Sequence, residues 1–127
     1  FFKLSDEEAM LITGVNNVND AAIILLKKTS AIFTITLGKE GALFGYDGNT
    51  TIIPGIPVKP VDTTGAGDAF VGAVLYQLRD KSISDIQSLS ITDWNKIITN
   101  GNKAGARTCE YLGAMEAFKH LTNRIFD

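Results

Sequence analysis

Residues 61–78, "VDTTGAGDAFVGAVLYQL", change character halfway along. The first half is turn-forming, with Gly65 and Gly67 set among Asp62, Thr63, Thr64 and Asp68. The second half is apolar, and Phe70, Val74 and Leu78 recur at helical spacing as a core face. A helix predicted from Ala66 to about Leu78 therefore starts inside a glycine turn. Its first N–H groups have no partner within the helix, and together with the positive end of the dipole they form an anion site. The glycines admit a close approach to the backbone and allow positive φ. Asp68 is the odd member, because a carboxylate repels an anion held at the same helix start. One reading makes it a first-turn acid favoured by the dipole. The other makes it a base that takes a proton from an attacking hydroxyl while the turn amides stabilise charge on the transferred group. The stretch lacks the lysine and spacing of a P-loop, and it fails the dinucleotide fingerprint.

Upstream, "FFKL" opens as a short apolar run. Ser5 starts a helix, Glu8 completes a capping box and Gly14 stops it. Asn19 and Asp20 precede a second helix, "AAIILLKK", whose lysines sit at the favourable C-terminal end. Residues 31–37, "AIFTITL", are β-branched and apolar on both parities, as in a strand covered on both faces. Gly38 and Gly41 break it. "ALFGY" and "TTII" flank Asp47, Gly48 and Asn49, a hairpin signal. Pro54, Pro57 and Pro60 mark an irregular run into the glycine turn. Downstream, Thr92 and Asp93 start a long helix reaching toward Cys109, and residues 114–126 read as a last helix. Helices interleaved with buried strands indicate an open α/β sheet with a hairpin at one edge.

The 127 residues are 45% hydrophobic, enough for a real core. Twelve basic residues against fourteen acidic ones leave a formal charge of −2, so there is no electrostatic footprint for nucleic acid or an anionic membrane. The longest apolar run, residues 21–26, is too short to span a bilayer. Cys109 is the only cysteine, which excludes an intrachain disulfide and fits a reducing compartment. It reads as a buried small hydrophobe, and His120 as a surface residue. No secretory leader is visible, and a cytoplasmic location is expected. The chain begins at Phe1 inside what reads as a strand, so a piece of a longer protein is expected.

The motif of residues 61–78 closely resembles the C-terminal signature of the ribokinase-like (phosphofructokinase-B) family of carbohydrate kinases. The resemblance makes Asp68 the catalytic base and the backbone of Gly65, Ala66 and Gly67 the anion hole. "KLSDEEAMLITG" resembles the family's N-x-x-E segment, whose Glu helps order magnesium and the phosphates. Glu8 matches that Glu, while Ser5 replaces the asparagine; the same two residues also make a capping box. "TLGKEGALF" resembles the strand end that touches ATP, which places Gly38 and Gly41 near the nucleotide. "NGNKAGARTCEYLGAM" resembles the last signature region, with Asn102 matching the asparagine beside adenine and Gly105 the small residue nearby. Many members hold a monovalent cation, and its ligands carry over to Asp62, Thr64, Thr108, Tyr111 and Gly113. Asp62 reads equally well as a hydrogen-bonded turn aspartate.

The resemblance covers essentially the whole chain but only the later part of the family's sequence. It implies the C-terminal portion of a three-layer α/β/α sandwich. Residues 1–127 would then be the nucleotide-binding and catalytic portion of one domain, without the N-terminal sugar-binding and lid part. The implied activity is ATP-dependent phosphorylation of a sugar, fructose first, with Mg2+ and K+ as the ions. Ribose, ketogluconate and aminoimidazole riboside remain open as acceptors, and these residues alone are expected to be inactive. A full-length homodimer is compatible with the resemblance. The alternative is a ribokinase-like scaffold or regulator that binds nucleotide without turnover.

Overall fold

The computed structural model describes residues 1–127 and divides into two compact units, Phe1–Pro54 and Gly55–Asp127. The first is built on a four-stranded sheet: β1 (Phe2–Ser5), β2 (Phe33–Thr36), β3 (Gly41–Tyr46) and β4 (Asn49–Pro54), in that spatial order. β1 and β2 are parallel, with Phe2 opposite Phe33. A parallel pair needs a crossover, and α1 (Asp6–Thr13) and α2 (Val18–Lys28) supply it. β3 and β4 form the expected edge hairpin, paired antiparallel. Its two-residue turn puts Asp47 and Gly48 at φ 47° and 73°, the type I′ geometry that suits strand twist.

The capping box of α1 forms as the sequence predicts, with Gly14 at its C-terminus in the left-handed conformation. α2 starts earlier than expected, because Asn17, not Asn19 or Asp20, is the cap and accepts from the Asp20 amide. Ala9, Ala21, Ala22 and Leu25 from the helices meet Phe33, Ile35 and Leu43 from the sheet in one apolar cluster. Phe33 also stacks on Phe2, with ring centroids 5.4 Å apart, and lies over Gly45, its partner on β3. A Cβ at Gly45 would fall 2.3 Å from that ring, so the pairing register is fixed by a large residue facing none.

The second unit is helical: α3 (Ala66–Leu78), α4 (Ile83–Gln87), α5 (Ile91–Thr108) and α6 (Ala114–His120), closed by a 3-10 turn at Asn123–Phe126. α3 and α5 pack antiparallel around the fully buried Trp94, Ile98 and Val74. The Gln77 amide bridges them, donating to the carbonyls of Ala73 (2.9 Å) and Ile97 (3.2 Å) and accepting from Asn100 (2.7 Å). The backbones come close because α5 carries glycine at the crossing. A Cβ at Gly105 would lie 3.1 Å from the Ala66 carbonyl oxygen. The last helix is shorter than the sequence suggests, stopping at His120. Leu121 is extended, and the Thr122 hydroxyl caps the 3-10 turn that follows. The sequence pattern does not announce α4. Every one of its residues lies at least partly in solvent, so it has no apolar stripe to announce it.

Candidate active site

The glycine turn enters α3 through Gly65, which sits at φ 81°, ψ 0°. That left-handed conformation favours glycine, and crowding adds a second reason: a Cβ there would be 2.4 Å from the Cβ of Ala114. The turn is thus pressed against the first residue of α6, a contact that no spacing in the sequence announces. The Ala66 amide is used locally, donating to the Thr63 carbonyl at 3.2 Å. The amides of Gly65, Gly67 and Asp68 make no hydrogen bond and are the open donors of this helix start. Asp68 is exposed, its carboxylate takes part in no hydrogen bond or ion pair, and it borders a groove of about 270 Å³ walled by Gly72, Tyr76 and Phe118. A free carboxylate beside free amides has the chemistry to accept a proton and to bind an anion at one place.

Asp62 does more than fold its own turn. Its Oδ1 accepts from the Thr64 amide (2.9 Å) and hydroxyl (2.7 Å), and its Oδ2 accepts from the Gly113 amide (2.9 Å). The Thr64 hydroxyl, then the two amides, hold its carboxyl below the usual aspartate range. The Cys109 carbonyl adds a second link, accepting from the amides of Val61 (2.7 Å) and Asp62 (3.2 Å). The glycine turn is therefore tied to the turn after α5 from both sides. This brings Asp62, Thr64, Thr108, Tyr111 and Gly113 into one region. The Thr108 and Gly113 carbonyls each accept one amide, from Tyr111 and Ala117, at 3.3 Å. A carbonyl oxygen has a second lone pair, and a set made of one carboxylate and carbonyls has the hard oxygen chemistry an alkali cation prefers. No cluster of His, Cys, Asp and Glu suited to a transition metal exists.

Asn102 is buried on α5, one turn from Gly105 and its contact with Ala66. Cys109 is half-buried rather than buried, and burial together with the Asp62 charge pushes its thiol up. His120 is exposed but not alone. It stacks on Tyr111 at 4.5 Å and meets the Glu116 carboxylate at 3.1 Å.

In the first unit, Glu8 Oε2 accepts the Ser5 amide (2.7 Å) and the Ser5 hydroxyl accepts the Glu8 amide (3.1 Å). The Ser5 amide and the charge of Lys3 lower the Glu8 carboxyl. Gly38 and Gly41 bracket a 3-10 turn closed by the Leu37 amide on the Gly41 carbonyl (2.8 Å), with Lys39 exposed between them.

The chain belongs to the pfkB family of carbohydrate kinases, whose description matches residues 1–121. Fructokinase-1 of Zea mays is 34% identical over 117 residues, covering 89% of this chain and 34% of the relative. Cytidine kinase of Thermococcus kodakarensis is 45% identical over 74 residues, 56% of this chain and 26% of the relative. Among solved structures, a double mutant of Vibrio cholerae fructokinase with fructose, ADP and potassium bound superposes with a TM-score of 0.79. It is 32% identical and covers 91% of this chain and 36% of that one. The fold is thus the ribokinase-like α/β fold, and the chain spans about a third of the length of the relatives it matches. No single helix is long and apolar enough to cross a membrane.

Proposed function

We propose that this chain is the nucleotide-facing, catalytic part of an ATP-dependent sugar kinase with fructose as acceptor. The observation that carries the proposal is the unpaired Asp68 carboxylate beside the free amides of Gly65, Gly67 and Asp68 at one helix start. Asp68 takes the proton of the acceptor hydroxyl as its oxygen bonds to the γ-phosphorus. The bond from that phosphorus to the bridging oxygen breaks, ADP leaves with the electron pair, and the amides stabilise charge on the transferred group. A binding-only scaffold has no use for a base so placed.

Magnesium arriving with ATP supplies neutralisation of phosphate charge. Glu8, assisted by Ser5, is assigned to its coordinated water. The Glu8 Oε1 atom, which the capping box leaves unused, suits that role. Gly38, Gly41, Asn102 and Gly105 are assigned to the nucleotide. Potassium is assigned to Asp62 with the carbonyls of Thr64, Thr108, Tyr111 and Gly113, where it would brace the glycine turn.

A second reading takes a nucleoside as acceptor, favoured by the 45% identity to a cytidine kinase. ADP release by the intact gene product, measured with fructose, ribose and cytidine, separates the two. Fructose-dependent release is expected, and in Asp68→Asn it falls about 10²–10⁴-fold with ATP affinity unchanged. A preference for cytidine would move the assignment to the second reading. Full turnover in the Asn variant would remove Asp68 as the base.

A further inference from the structure

A cavity of about 420 Å³ in the second unit is lined by α5, the turn after it, the end of α6 and the terminal 3-10 turn, and by no residue of the glycine turn. Lys103 and Arg107, one helical turn apart on α5, line it together with Arg124 of the terminal 3-10 turn. Asn102 and Gly105, the α5 residues assigned to the nucleotide, do not line it. Three cations around one concavity are unexpected in a chain whose net charge is −2. Only one carboxylate, Glu110, faces them. It takes a single bond from Arg107 at 2.9 Å, which leaves most of that guanidinium fork available. Lys103 and Arg124 have no ion-pair partner. Ile56, Leu121 and Ile125 add apolar wall.

We propose that this cavity is a binding site for an organic phosphate. Lys103, Arg107 and Arg124 take the phosphoryl group, and the apolar wall takes the carbon body. The volume is that of a small-molecule pocket and leaves room beyond a bare phosphate ion. Lys103 and Arg124, without ion-pair partners, share the cavity with Arg107, and a dianion there offsets their repulsion with charge-assisted hydrogen bonds. The cavity also includes Glu110 and Tyr111, in the turn whose Gly113 amide holds Asp62, so an occupant would sit against the brace of the glycine turn.

The test is calorimetric titration of fructose 6-phosphate into the intact gene product with ADP and fructose saturating, so that the reaction site is filled. Filling the reaction site in this way rests on the kinase reading, whereas the Lys103 and Arg124 variants, outside that site, report on the cavity itself. Saturable one-to-one binding is expected. Lys103→Gln and Arg124→Gln should each weaken it roughly tenfold to a hundredfold, as loss of a charge-assisted bond does. Arg124→Lys should keep most of the affinity. Lys96→Gln, on an exposed part of the same helix outside the cavity, should leave it unchanged. Absence of saturable binding, affinity indifferent to Lys103 and Arg124, or equally tight binding of inorganic phosphate would overturn the proposal.

Discussion

Replacing Gly65 by alanine perturbs the candidate site through two separate terms. The first is conformational: at φ 81° an L-residue is in left-handed territory, which costs about 1–2 kcal/mol. The second is steric. The new Cβ would be 2.4 Å from the Ala114 Cβ, whereas carbon atoms prefer about 3.5 Å or more, so turn and α6 must part by roughly 1 Å. Overpacking of that kind costs about 1–3 kcal/mol. The two terms sum to roughly 2–5 kcal/mol, to be read from urea unfolding of the intact gene product. Turnover should fall about 10²-fold as well, because a 1 Å displacement of positioning groups costs that much. The double variant Gly65→Ala with Ala114→Gly removes the closest clash but not the backbone term. It should recover about half of the lost stability. Wild-type stability and turnover in Gly65→Ala would refute both terms. Complete recovery in the double variant would leave only the steric one.

Asp62→Ala should abolish any gain in rate on exchanging sodium for potassium at fixed ionic strength. A wild-type rate indifferent to the cation would take Asp62, Thr64, Thr108, Tyr111 and Gly113 out of the ion's coordination. The Asp62 carboxyl is held low by the Thr64 hydroxyl and the amides of Thr64 and Gly113, so the stabilisation is fully present above the unfolded value of about 3.9. It is lost as pH falls through the lower folded value. The Gly113 amide resonance should therefore titrate with a midpoint under about 3.9, and a midpoint above that would contradict the bonding. At the far end of α5, Ser90→Ala removes a capping box in which the Ser90 hydroxyl accepts the Asp93 amide and the Asp93 carboxylate accepts the Ser90 amide. A loss of about 1 kcal/mol in urea unfolding is expected, with turnover unchanged.

The parts of the fold legible in the sequence are those fixed by local chemistry. α3 begins at Ala66 and ends at Leu78 as read, because a glycine turn and an apolar run mark its two halves. The hairpin was equally plain from Asp47-Gly48. Where several residues can do one job the sequence does not choose: Asn17, Asn19 and Asp20 are all good caps, and the helix starts after Asn17, whose side chain accepts the Asp20 amide. The split of the last helix was invisible because Leu121 and Thr122 do not forbid a helix. Within the site, the sequence grouped Asp62 with the late turn by resemblance alone. The Gly113 amide on Asp62 and the Ala114 methyl against Gly65 are tertiary facts, and no periodicity encodes them.

The tie between Asp62 and Gly113 has a meaning during synthesis. These residues are 51 positions apart, so the glycine turn leaves the ribosome well before the groups that hold it exist. At ordinary elongation rates the interval is roughly 3–10 s, long against helix formation. Through that time α3 can form, but its entry turn lacks both the amide that fixes Asp62 and the methyl that backs Gly65. A translational pause or truncation before residue 113 would yield a nascent chain with the motif fully spelled out and its geometry still unset.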